Sequence, residues 1–541
     1  AKRFRTFDTN LVLESDSGKG KYFDSLLISN SGWGADPTGF TRFNIDKIGV
    51  YKFNANVRKV SYFNNLSNHA LGEHTADTRN LTGDFDLSIL PQNDKLRFNL
   101  GASFADYSGP GGTTTRAYSD EFGVDSYIRN KAYDYRAGVE GQLAGFDLGL
   151  TQGFRFFRDR SGYSISGLNL GNNPTNNARL TTFSRLFPTD GNTYFTTFNV
   201  HRTFAKKLDF TGKFVYVLTR SNMAMNEIES GRDNSNNIID ADVYTVTGKN
   251  SRYQKRGDIG VTYLITNNFR ISNTFTYDTF SINGGSAFQE AVTRRTSSGG
   301  PLASQLTITA GHRVNDYTRY TNLIEGDYQF NNVIGFHIGY RYGHRKINVT
   351  GYDATYTSAP SSTNPAFITE TESNGTNAVL AGMKIKPVKH WVIFWDVEKG
   401  TADNVFTRLE NYKYTNFRVR SRLTFNKVGF NFSAITKDNT NPSFSIVAPT
   451  APDQKTNIKT RIYSGSVDWA PLTIMTLSGG YTYNHQTSYT PIIVPAGGYF
   501  NGFSQFFARD HYAYLDISLK PAKRVSLYGS YRINRDLGEG N

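Results

Sequence analysis

Along most of the chain, apolar and polar residues alternate with a period of two, the pattern of a β-strand with one apolar face. In residues 131–157, Tyr133, Tyr135, Ala137, Val139 and Leu143 share one face, and Asp134, Arg136, Glu140 and Gln142 share the other. Ala144-Gly145 then reads as a tight turn, after which Phe146, Leu148, Leu150, Phe154 and Phe156 form the apolar face of the next strand. Each strand has ten or more residues, enough to cross a bilayer at a tilt. The unit recurs with turns at Pro91–Asp94, Lys206-Lys207, Asn267-Asn268, Asn331-Asn332, Pro387-Val388-Lys389, Asn426-Lys427, Ala470-Pro471 and Pro521-Ala522, giving nine hairpins. Four further strands are expected near 3–15, 20–31, 38–48 and 53–63, for a total of about 22 within a range of 20–26.

Short turns alternate with long stretches rich in Gly, Asn, Ser and Thr near 108–130, 158–190, 221–250, 281–316, 347–374, 437–457 and 485–505. Short connections on one side and long ones on the other predict an all-β fold. It is a transmembrane antiparallel up-and-down β-barrel with periplasmic turns and long extracellular loops, placed in a bacterial outer membrane. A propeller would repeat every 40–50 residues or so with a blade motif, and none is present. Strands begin almost at residue 3, which predicts a single barrel domain over 1–541 with no residues left for an N-terminal plug. Trp391, Trp469, Tyr340, Tyr342, Tyr481 and Tyr483 stand near strand ends, where interfacial girdles form.

Composition agrees with that reading. Hydrophobic residues are only 38%, yet aromatics reach 14%, as a chain with one lipid face and one wet face requires. No run of about 18 apolar residues offers a transmembrane helix, and so many aromatics argue against disorder. The chain starts Ala1-Lys2-Arg3-Phe4 without an apolar leader and reads as either a mature or a trimmed sequence. Cys is 0, which excludes disulfides, iron–sulfur clusters, thiolate zinc sites and covalent haem attachment. No cofactor is expected in this chain, and any haem must sit on a partner. The net charge of +14 comes from dispersed Lys and Arg, which favours lipid or an acidic partner over nucleic acid.

Candidate chemistry is sparse. The nine His show no metal-ligand spacing, and Asp233–Asn237 lacks a calcium-loop pattern. Arg256-Gly257-Asp258 reads as an adhesion tripeptide but sits at a strand. No nucleophile elbow or phosphate loop appears, so an enzyme is not expected. The informative residues are the charges on the polar face, expected to line the lumen: Arg136, Glu140, Arg155, Lys213, Arg341, Lys384, Arg418, Arg420 and Arg422, with His337, Lys386, Asp396 and Glu398. Arg418, Arg420 and Arg422 form a ladder on one strand opposite Phe417, Val419 and Leu423, and arginines facing lipid would cost a few kcal/mol each at mid-bilayer. Such a stripe could select anions or dock an acidic partner, unless opposite signs on neighbouring strands neutralise it.

The segments Tyr62–Leu66, His74, Asp77-Thr78-Arg79, Asp84–Pro91 and Leu96–Gly101, with Gly-Tyr-Arg-Tyr at 339–342 and Gly-Tyr-Thr-Tyr at 480–483, resemble the decahaem-associated outer-membrane barrel family (MtrB/PioB-like). The resemblance implies a barrel that sheathes a periplasmic or extracellular multihaem cytochrome and insulates it through the outer membrane. Two functions therefore stand side by side: a porin passing solutes through a charged lumen, and a sheath for an electron-transfer partner.

Overall fold

A computed structural model describes residues 6–15, 19–34, 37–65, 74–165, 167–173, 175–358, 365–406, 410–443, 454–495, 499–522 and 525–540. It is one antiparallel sheet of 22 strands, each paired with its neighbours in chain order. They are β1 (Thr6–Glu14), β2 (Ser25–Gly34), β3 (Thr38–Lys47), β4 (Tyr51–Asn65), β5 (Thr75–Ile89), β6 (Leu96–Ala117), β7 (Asp120–Leu143), β8 (Phe146–Ser164), β9 (Arg179–Phe204), β10 (Leu208–Arg232) and β11 (Ile238–Thr266). There follow β12 (Phe269–Arg295), β13 (Gln305–Gln329), β14 (Ile334–Thr357), β15 (Ala366–Val388), β16 (Trp391–Ala402), β17 (Lys413–Phe425), β18 (Val428–Ser443), β19 (Gln454–Leu472), β20 (Met475–Pro495), β21 (Tyr499–Ala522) and β22 (Val525–Gly540). Residues 3–5 of the first expected strand lie outside the described residues. Among the described residues, β1 pairs only with β2 and β22 only with β21, so each keeps one free edge.

Two sequence expectations need correction. The long Gly/Asn/Ser/Thr stretches are mostly not loops but strand. β6 and β7 meet in a two-residue turn at Tyr118-Ser119, and β11 runs for 29 residues. About ten residues cross the bilayer, so the remainder projects beyond it. There neither face meets lipid, alternation has no cause, and the ladder of backbone hydrogen bonds alone sustains the strand. Three turns also fall two or so residues later than expected, because Pro387, Pro471 and Pro521 lie inside β15, β19 and β21. Each sits where the register shifts, between Ile385 and Val388, Trp469 and Leu472, and Leu519 and Ala522. Proline has no N–H to give a ladder, and a bulge asks for none.

The apolar face is open to its surroundings. Phe98, Leu150, Ile259, Phe275, Ile324, Ile338, Phe432 and Leu515 are all exposed, a belt that only a bilayer can cover. It is edged on the short-turn side by Trp391 and Trp469. On the far side it is edged by tyrosines packed ring to ring, such as Tyr320 with Tyr342 (6.1 Å between centroids) and Tyr463 with Tyr483 (6.5 Å). A girdled belt on an up-and-down sheet is the surface of an outer-membrane protein.

Candidate lumen site

Cross-strand register places all nine sequence-predicted charges on the polar face. Four of them are held in close ion pairs there. Arg136 donates to Asp84 (2.9 Å) and Asp86 (2.7 Å), two strands away. It can do so because Gly101, its partner on β6, has no side chain: a Cβ there would lie 2.3 Å from the Arg136 Nε. Arg155 forks onto Asp134, with Nη2 donating at 2.7 Å, and Glu140 pairs with Arg97. Arg341 spans further. Its cross-strand row continues through Ala378 and Gly400 to Tyr414, and over those small residues it donates to Glu398 and to the Tyr414 hydroxyl (3.0 Å). Tyr414 in turn donates to Glu398 at 2.5 Å. Lys213 stands opposite Asp258 in the register. His337 lies 3.5 Å from Asp396.

The arginine ladder on β17 is different. Arg418, Arg420 and Arg422 are all exposed. Their β18 neighbours are Ile435, Ser433 and Asn431, none of them acidic. On β16, Asp396 faces Arg418 in the register and lies 3.8 Å from Arg420; Arg418 and Arg422 have no ion pair among the described residues. Arg420 and Lys384 both lie over the ring of Phe394, at 5.4 and 5.7 Å, so one aromatic face system carries two cations. The result is a group of four weakly compensated cations on β15 and β17, either side of β16, around the carboxylate of Asp396.

Two regions cover parts of the polar face, and neither was foreseen. Beyond the end of β8, residues 167–173 of the connection fill the slot between β7 and β9: Asn169 exchanges backbone hydrogen bonds with Leu180 (2.8 and 3.0 Å), and its side chain donates to the Gly123 carbonyl (2.8 Å). Beneath it, Phe122, Val124, Ala178, Leu180 and Phe183 form a buried cluster against which Tyr118 packs. Phe122 and Val124 share the parity of Asp134 and Arg136, and apolar residues at polar-face positions are the sequence signal for such a cover. Tyr118 turns toward Glu229 and Asp242 on β10 and β11 without reaching hydrogen-bond geometry, so this hairpin tip leans across the intervening strands. Around it, Tyr244 donates to Asp242 (3.0 Å) and Glu290 (3.3 Å), and Arg185 pairs with Glu227. This cluster lies well past the belt. Burial, reinforced by the neighbouring carboxylates Asp242 and Glu227, raises the Glu229 carboxyl to about 7; burial beside Glu290 raises Asp242 to about 6.

The second cover is the β16–β17 connection. Arg345 donates to both Glu410 oxygens (2.9 and 2.8 Å), stacks over Phe406 (4.0 Å), and Asn439 holds the Glu410 carbonyl (2.8 Å).

The remaining sequence candidates dissolve into structure. Arg256 and Asp258 pair with each other on one strand (3.0 Å). The Asp233 carboxylate is taken by Asn237 of its own turn (2.8 and 2.9 Å). Among the described residues no three His, Asp or Glu converge as metal ligands, and His69 lies outside them.

No protein-family model matches the chain, and no curated protein matches it by sequence. Solved structures similar to it include the ferric yersiniabactin uptake receptor FyuA from Yersinia pestis, 9% identical, covering 96% of this chain and 85% of that one with a TM-score of 0.43. The siderophore receptor PiuA from Acinetobacter baumannii is 8% identical over 96% and 80%, with a TM-score of 0.44. The copper transporter OprC is 8% identical over 94% and 82%, with a TM-score of 0.41.

Proposed function

We propose that the chain is an outer-membrane pore that passes small anionic solutes through its lumen, working neither as an enzyme nor with a cofactor of its own. The ladder of Arg418, Arg420 and Arg422, with Lys384 beside it, carries the reading. Many other charges on the polar face are held in close pairs, such as those of Arg136, Arg155 and Arg341, whereas these four cations share one nearby carboxylate, Asp396, which lies 3.8 Å from Arg420 and opposite Arg418. Fixed, unpaired cations along a wet wall raise the local concentration of anions and lower the barrier to their passage. Twenty-two strands spaced about 4.8 Å apart enclose a circumference on the order of 100 Å, wide enough for hydrated solutes beside the two covers.

A second reading is favoured by the same width and by the likeness of residues 62–101 to the decahaem-associated barrels: the lumen sheathes a multihaem cytochrome, and the cations grip its acidic surface. One preparation decides between them. In planar bilayers under a salt gradient, the haem-free protein is expected to conduct with a reversal potential of anion preference. The Arg418→Gln/Arg420→Gln/Arg422→Gln variant should lower the anion-to-cation permeability ratio several-fold. Visible haem absorbance that co-purifies from the native membrane, with no stable conductance, sinks the pore and supports the sheath.

A further inference from the structure

The excess of basic residues is not consumed by the lumen, and part of it has a definite place on the outer wall. On β10 to β14 the register aligns outward-facing residues into rows. The rows nearest the short turns, such as Phe210–Val261–Asn273–Ile324–Tyr340, carry no charge and belong to the belt. The row of Phe214, Tyr277, Tyr320 and His344 closes that belt. In this row and the four above it stand Arg220, Lys249, Lys255 and Lys346, with His312 and His344; the one outward acid among them is Asp316. None of the four cations has an ion pair with a described residue. Above them the next three outward rows, beginning with Ala224–Thr247–Ala287–Ala310–Ala354, are again without charge. The cations therefore form a band, bounded on both sides, at the height where lipid headgroups meet the wall.

We infer that this band binds the phosphate groups of outer-leaflet lipids. Charge and level fit together. A phosphorylated headgroup lies just past the aromatic edge of the acyl region, and a basic side chain with a long apolar stem can rest on Tyr216, Tyr253 or Tyr277 while its head reaches upward. The outward direction separates this site from the lumen ladder. The band also lies on the side of the strand extensions, which places it in the leaflet facing away from the short turns.

The test uses the folded full-length chain in detergent, incubated with diphosphoryl lipid A, with the same lipid stripped of phosphate, or with inorganic phosphate, and reads retention by native mass spectrometry. The wild type should retain diphosphoryl lipid A about tenfold better than the phosphate-free lipid. Changing Arg220, Lys249, Lys255 and Lys346 together to Ser should abolish that preference, while Lys249→Arg/Lys255→Arg/Lys346→Arg should keep it. Lys206→Ser/Lys207→Ser, in a short turn across the belt, should leave it unchanged. Heat-modifiable migration in gels confirms that each variant is folded. Equal retention of both lipids by the wild type, or undiminished preference in the Ser variant, overturns the proposal. Displacement of the lipid by millimolar phosphate overturns the lipid as occupant.

Discussion

At the scale of single residues, the charges on the polar face divide by what faces them. Arg155 meets Asp134 directly opposite it in the register, whereas Arg136 and Arg341 reach carboxylates on more distant strands because small neighbours, Gly101 for the first and Ala378 with Gly400 for the second, let a long side chain lie flat across a strand. Sequence alternation shows that such residues share a face, but whether they are neutralised depends on register across two or three strands, which no local pattern encodes. Glu229 and Asp242 give a pH prediction. Their carboxyls hold protons to about pH 7 and 6, higher than in an unfolded chain. The native state therefore binds more protons across the interval from roughly pH 4 to 7, and the stability this gives is lost as pH rises through it. Hydrogen exchange of the hairpin tip around Tyr118 should show more protection at pH 5 than at pH 8, after correction for intrinsic rates. The Glu229→Gln/Asp242→Asn variant should flatten the dependence; an unchanged slope in the variant would assign it to other groups.

At the scale of strands, alternation reveals the segments that cross the bilayer, because only there does one face meet hydrocarbon and the other water. The turns at Ala144-Gly145, Asn267-Asn268 and Asn426-Lys427 fall where that pattern breaks. The extensions of β6, β7 and β9 to β15 were unreadable for the converse reason. Prolines misled for a different one, since a bulge near a strand end admits a residue that the regular ladder rejects. Pro471→Ala should then change stability by no more than about 1 kcal/mol, while Val467→Pro, whose neighbours Phe430 and Gly479 sit in regular register, should cost about 3 kcal/mol or more. Denaturant midpoints of the folded species in detergent check both. Equal losses would show that the bulge at Pro471 is not what accommodates it.

At the scale of the molecule, the free edges of β1 and β22 are the decisive feature. Backbone groups left unpaired in hydrocarbon cost several kcal/mol each, so both edges must be satisfied in the membrane. A closed barrel satisfies them on each other. The absence of native cysteine makes this easy to test: Leu11→Cys combined in turn with Leu527→Cys, Tyr531→Cys and Ile533→Cys should give an oxidative intramolecular cross-link for one register in membranes. No cross-link in any pair would require another partner for these edges. The same edges also bear on how the chain folds. Every ladder seen here joins strands adjacent in sequence, so hairpins can zip up one after another with little loop entropy to overcome. Joining β1 to β22 is another matter, because it brings together residues more than 500 positions apart. Closure should therefore come last and slowest. Until it does, the nascent sheet offers two bare templates to any other extended chain, which makes edge-to-edge aggregation the characteristic hazard of its assembly.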